Sequence, residues 1–253
     1  DSANTTASAE HVTVALAAAS TQALLQQTPR VYRTQINDVL LTALVRAFAD
    51  WTGDPSLRIV LEGHGREPLF NDVDLTRTVG WFTAAYPIAL SASAGDDAGT
   101  ALKRTKETLR AVPNQGIGYG ILRYLSPDPA VRTALECTTE PEVSFNYLGR
   151  FEQDMAGSII LGEAREDIGD DQSRAGNRRF VIEVNGLLRG DRMEFIWTYS
   201  RNRHTRRTVE TLAQRFVQEL DRIIAHCADA GAGGYTPSDF PLAAVGDTAL
   251  DGL

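Results

Sequence analysis

Nowhere among the 253 residues does an apolar run approach the roughly 20 residues needed to cross a bilayer, so no membrane segment is expected. Basic residues are in the minority. Lys and Arg number 25 against 33 Asp and Glu, a formal net charge of −8, whereas a nucleic-acid binder normally carries a basic domain or stripe. Cysteine is scarce: Cys137 and Cys227 fall in predicted helices without metal-ligand spacing. They are expected to be reduced, partly buried thiols of a cytosolic protein, and no metal site is expected. The opening residues Asp1 to Glu10 are polar and have no basic stretch before an apolar core, so no signal peptide is expected there and the expected localisation is cytoplasmic. Histidine is limited to His11, His64, His204 and His226, none adjacent to another. No internal repeat is present.

What is there suffices for a substantial core in one large or two small domains. Residues 1–10 (DSANTTASAE) are expected to be a flexible lead-in, 11–230 the folded unit, and 231–253 a linker or tail. His11 to Leu16 alternates as a strand, and Ser20 to Gln27 follows as a short helix capped by Ser20 or Thr21. Ile36, Val39, Leu40, Ala43, Leu44 and Ala47 recur at helical spacing, and Thr52-Gly53-Asp54-Pro55 ends that helix. Ala84 to Leu90 is a strand whose Pro87 favours an edge or a bulge. Further helices are predicted over Ala101 to Ala111, Ile121 to Leu125 and Pro129 to Cys137, and a strand over Glu142 to Leu148. Phe151 to Asn177 is polar and punctuated by glycine. Phe180 to Leu188 and Met193 to Tyr199 flank Arg189-Gly190-Asp191-Arg192 as a β-hairpin, and Val209, Leu212, Phe216, Leu220 and Ile223 stripe a final helix. The irregular alternation of strands and helices predicts an α/β fold, a mixed β-sheet flanked by helices. Gly116, Gly118 and Gly120 do not make a dinucleotide fingerprint, because no apolar strand precedes them and the third glycine comes too early.

The most informative stretch is Leu61-Glu62-Gly63-His64-Gly65-Arg66-Glu67. Leu57, Ile59 and Leu61 alternate with Arg58, Val60 and Glu62, a strand that can end by pointing a carboxylate into a cavity. Gly63 and Gly65 then permit a tight turn and a close approach to the main chain. The same pattern also fits an ordinary strand exit with solvated charges.

Five ordered blocks decide between these readings. They are Asp38 to Ala43 (DVLLTA), Glu62 to Glu67 (EGHGRE), Arg77 to Leu90 (RTVGWFTAAYPIAL), Pro113 to Gly120 (PNQGIGYG) and Phe145 to Gly149 (FNYLG). Together they resemble the epimerization domains of nonribosomal peptide synthetases, of the condensation-domain and chloramphenicol-acetyltransferase-like superfamily. The resemblance runs from about His11 to Leu242 and matches the C-terminal lobe of a two-lobed domain. Tyr235 to Leu242 (YTPSDFPL) looks like the segment that leaves such domains toward the next module. Val45 and Arg150 depart from the glycine and glutamine common at those places in the family. The family's HHxxxDG motif has no counterpart among the four histidines, and the resemblance assigns it to an N-terminal lobe.

The resemblance implies inversion at the Cα of an aminoacyl or peptidyl thioester held by a peptidyl carrier protein on its phosphopantetheine arm, with no directly bound cofactor. Inversion removes a proton from one face and returns it to the other. By similarity Glu62 supplies one acid/base group and a histidine of the N-terminal lobe the other. Glu62 is preferred to Glu67 because it ends an apolar strand where desolvation raises its pKa, while Glu67 is expected in an exposed loop. Asn146 is carried over as a donor to the thioester carbonyl, against a turn-capping role, and Tyr147 as a partner of the enolate-like oxygen, against a core aromatic role. Adjacent strand residues point to opposite faces, so both reach substrate only if the strand ends or bulges there. His64, Arg66 and Ser144 are assigned to substrate binding; for His64 a loop histidine bonded to backbone is the alternative. Arg77, Thr78, Trp81 and Tyr86 are expected to serve packing. Arg201, Arg203, Arg206 and Arg207 form the basic cluster, read as a solvated helix start or a carrier contact. A condensation or acyltransferase domain and a non-catalytic carrier-docking platform remain the alternatives.

Overall fold

The computed structural model describes residues 3–93, 95–136, 139–150, 169 and 172–242. Cys137 and most of Phe151 to Asn177 therefore lie outside the described residues. In order, the chain forms β1 (Ala9–Ala15), α1 (Ala18–Gln26), α2 (Thr28–Val31), α3 (Ile36–Thr52), β2 (Ser56–Gly63) and β3 (Ala84–Ser91). There follow α4 (Ala98–Arg110), α5 (Gly118–Leu125), α6 (Pro129–Glu136), β4 (Val143–Arg150), β5 (Ile182–Arg189), β6 (Arg192–Ser200) and α7 (Arg206–Ala228). Six strands make one mixed sheet in the order β1-β6-β5-β4-β2-β3. The β2–β4 and β4–β5 pairs are parallel, and the others antiparallel. β3 lies at the edge, which is where Pro87, having no N–H for a second ladder, is tolerated.

One sheet face carries the core. Leu57, Ile59 and Leu61 of β2 are buried, as are Val143 and Phe145 of β4 and Phe195 and Trp197 of β6. Helices α3 and α7 cover this face: Phe216 of α7 packs edge-on against Phe195 and Trp197, and Phe48 of α3 stacks on Trp197. At this burial each large apolar side chain contributes about 1.5–3 kcal/mol. Cys227 sits at the end of the buried stripe of α7 as a free cysteine, and burial pushes its thiol up to about 11. Among the described residues no helix is long and apolar enough to cross a membrane.

The start of α3 carries the first family-like block. Asp38 is fully buried, accepts from the Gln35 backbone N–H at 2.7 Å, and pairs with both terminal nitrogens of Arg110 at 3.1 and 2.8 Å. It thus caps α3 and ties it to α4.

Three expectations are corrected. The short helix starts at Ala18 behind Ala17, and no side chain caps it. The lead-in is built into the fold from Ala3 onward: Asn4 donates to the carbonyls of Arg178 and Phe180 at 3.1 and 2.8 Å, and β1 begins at Ala9. Its small polar residues satisfy backbone that precedes β5, which composition alone does not reveal. The described part of the tail packs on the fold. Pro237–Asp239 forms a 3-10 turn whose Asp239 carboxylate meets Lys106 of α4 at 2.7 Å, with Lys106 only 1% exposed.

Candidate functional site

The opposite face of the sheet is polar. Alternation puts Val60 and Glu62 of β2 there, and the registers Val60 to Ser144 and Ser144 to Glu183 carry that face across β4 and β5. Glu62, the penultimate residue of β2, is partly buried. Asn146 Nδ2 donates to Glu62 Oε2 at 2.9 Å, which fixes both side chains on this face. Burial raises the Glu62 pKa above the ordinary carboxylate value, Glu183 adds to the rise, and Arg179 opposes it. A carboxylate held this way is a stronger base than a solvated one.

The turn after β2 is determined by one glycine. Gly65 has φ +66°, and a Cβ on it would lie 1.6 Å from the Phe82 carbonyl oxygen. Only glycine fits. Gly63 has no such requirement, since nothing lies within 4 Å of the equivalent position. His64 Nδ1 accepts from the Arg66 backbone N–H at 2.9 Å, which leaves Nε2 to carry the proton toward Glu67 Oε1, 3.4 Å away. Arg66 donates to the carbonyls of Leu75 at 2.5 Å and Gly80 at 3.4 Å and lies over the Phe82 ring at 4.3 Å. Its guanidinium therefore holds the following loop in place. Glu67 corrects the sequence reading: it is only 9% exposed, because the Gly65 turn folds it inward, and it raises the pKa of Tyr86 in addition to that residue's burial. Trp81 is also corrected. It is 91% exposed beside the fully exposed Val79, Arg77 and Thr78 are exposed too, and of these four packing candidates only Tyr86 is buried. Gly116, at φ +81°, packs on the Tyr86 ring, where a Cβ would lie 2.0 Å from Cδ1.

The structure separates the two residues of the FNYLG block. β4 stays in register with β5 through Tyr147, and the bulge comes only between Tyr147 and Arg150. Tyr147 therefore points to the helical face, near Gly186, whose Cβ position lies 3.5 Å from Tyr147 Cδ2 and 3.0 Å from Phe195 Cε1. Burial raises the phenol pKa. Ser144 lies on the Glu62 face, one alternate position before Asn146, and is buried. Arg206, of the basic cluster, pairs with Glu210 at the exposed start of α7. Sequence reasoning missed Glu183 and Asn185, and it missed Arg178, which is 5% exposed and bonds Glu183 at 3.2 Å. The alternation Ile182, Glu183, Val184, Asn185 was the available signal, but its register against β4 was not. Among the described residues no cluster of three or more His, Cys, Asp or Glu is arranged to hold a metal.

The condensation-domain family model matches residues 1–240. The chain belongs to the condensation-domain family. Its curated relatives are peptide synthetases: a linear gramicidin synthase from Brevibacillus parabrevis is 46% identical over 98% of this chain, and gramicidin S synthase 1 of Brevibacillus brevis is 36% identical over 91%. The chain spans only 3% and 22% of those proteins. Among solved structures, the epimerization domain from the third module of tyrocidine synthetase B superposes with a TM-score of 0.81 at 35% identity, covering 90% of this chain and 50% of that one. A four-domain nonribosomal peptide synthetase at 12% identity and a TM-score of 0.64 shares the fold. The mixed six-stranded sheet flanked by helices is thus the condensation-domain fold expected from the five blocks.

Proposed function

We propose that this condensation-domain chain is the C-terminal lobe of an epimerization domain, inverting the Cα of an aminoacyl or peptidyl thioester presented on the phosphopantetheine arm of a carrier protein. The observation that carries this reading is the Glu62 carboxylate, raised in pKa and oriented by Asn146 on the polar sheet face. Similarity to the tyrocidine synthetase epimerization domain, half of whose chain is covered, supports both the reaction and the lobe.

Glu62 takes the Cα proton, and the electron pair left behind moves into the thioester carbonyl as an enolate. A proton returned to the opposite face by an acid of the N-terminal lobe collapses the enolate to the inverted thioester. The raised pKa brings the Glu62 carboxyl closer to neutral pH, where a general base works best. In this reading Arg66 shapes the loop after the turn, Ser144 lies beside Asn146 on the substrate face, and Tyr147 supports β4 from the helical side.

The test loads a carrier with an L-aminoacyl group, adds the intact domain in deuterated water, and follows Cα. Deuterium incorporation with appearance of the D-isomer is expected, and Glu62→Gln lowers it by about 10²-fold or more. Amide formation without exchange would make the domain a condensation enzyme. Undiminished exchange in Glu62→Gln would remove Glu62 from the chemistry and leave carrier docking as its setting.

A further inference from the structure

The polar face continues past the pair that the proposed reaction uses. Asn146 is directly opposite Asn185 of β5, and Asn185 opposite Ile196 of β6. One row thus runs Glu62, Asn146, Asn185, Ile196 on the face away from α3 and α7. Asn185 is partly buried, and its side-chain amide has no hydrogen-bond partner among the described residues. Its neighbours on that face are engaged: Asn146 with Glu62, and Glu183 with Arg178. The Asn185 amide is not among the buried polar atoms left without a partner, so it is open to solvent on this face and free to meet a ligand.

We propose that Asn185 is a substrate-binding residue that recognises a secondary amide next to the reacting centre. The inference rests on the reading of Glu62 as the acid/base at Cα. Neighbouring strands lie about 4.8 Å apart, so Asn185 stands one strand from Asn146 and roughly 10 Å from the Glu62 strand. That separation places it beside groups a few bonds from Cα rather than at Cα itself. A carboxamide offers one acceptor and two donors, the complement of a secondary amide's N–H and C=O. A free α-ammonium can use only its acceptor. Two parts of the tethered substrate carry such an amide: the peptide bond upstream of Cα in a peptidyl thioester, and the pantetheine arm beyond the thioester.

The experiment compares Asn185→Ala with the parent sequence in the intact domain, on carriers bearing either an L-aminoacyl group or the same residue N-acylated. Loss of an unpartnered side chain leaves the melting temperature unchanged. If the upstream amide is the ligand, KM for the N-acylated carrier rises about tenfold, kcat falls less than KM rises, and the aminoacyl carrier is unaffected. If the pantetheine amide is the ligand, KM rises equally for both. Unchanged KM on both carriers overturns the proposal. Glu62→Gln, assayed beside it, separates the two failures. Retained epimerization in Glu62→Gln defeats the reading of the site, whereas its loss together with unchanged KM in Asn185→Ala defeats only the assignment of Asn185.

Discussion

Asn146 Nδ2 donates to Glu62 Oε2 at 2.9 Å between the parallel strands β2 and β4. Burial and Glu183 raise the Glu62 pKa and Arg179 opposes them; because a donor to a carboxylate favours its charged form, loss of this bond is expected to push the pKa further up. Removing it in Asn146→Leu leaves burial unopposed by this bond. The acid limb of kcat/KM for epimerization should then move to higher pH. Below the wild-type limb the loss should reach about tenfold, the scale of one hydrogen bond to a charged group, and it should shrink as pH rises. A deficit that stays constant across the pH range would mean that Asn146 acts on substrate alone.

The same shift has a consequence for stability. A carboxyl whose folded pKa is raised above the ordinary 4.5 gives its full stabilisation below that value and loses it as pH rises through the folded pKa. Glu62→Gln has no proton to lose and keeps an acceptor for Asn146. The variant and the parent should therefore unfold alike well below pH 4.5, and the variant should become the more stable as pH rises, levelling off above the folded pKa. Melting temperatures measured across a pH series check this. A variant less stable at every pH would show that the ionised carboxylate is itself a structural tie.

Much of this is legible in the chain because local pattern and tertiary role agree. Leu57, Ile59 and Leu61 alternate because they lie on the helix-covered face, so Glu62 is expected at the end of an apolar strand, and β2 ends one residue later, at Gly63. The hairpin of β5 and β6 and the stripe of α7 are equally plain. What escapes is set by contacts distant in sequence. Glu67 looks exposed between Arg66 and Pro68, yet the carbonyl of Phe82 requires the left-handed Gly65, and that turn buries it. Asn185 is legible as a polar strand position, but which residue it faces depends on the β4–β5 register, and that pairing joins positions nearly 40 residues apart. For Tyr147 the local pattern allows either face, and only the position of the bulge, after it rather than at it, places the ring on the helical side.

The tail gives the sharpest stability prediction, because a buried cation depends on it. Lys106 Nζ donates to the Tyr32 carbonyl at 2.8 Å and to both Asp239 oxygens at 2.7 Å. Ser238 Oγ donates to Glu107 at 2.6 Å, and Arg33 lies 4.0 Å over the Tyr235 ring, so the segment is held on both sides of Asp239. Burial alone would raise the Asp239 pKa, but the hydrogen bonds from Lys106 and Thr236 outweigh it, and the carboxyl ends below its ordinary 3.8. Asp239→Asn keeps the shape but leaves the buried ammonium with carbonyl acceptors only and no counter-charge. It should destabilise the chain by about 3 kcal/mol or more, as breaking one side of a buried pair does. In a chain of this size that lowers the melting temperature by on the order of 10 °C. Lys106→Met combined with Asp239→Asn removes both charges and should recover most of the loss. The sign with pH follows from the lowered pKa: the carboxylate contributes fully above about 3.8 and fades as pH falls through its folded value, so the gap between parent and Asp239→Asn should persist at neutral pH and close only in acid. If residues after α7 were a free linker, Asp239→Asn would leave the melting temperature where it was, and the double variant would be no better than Lys106→Met alone.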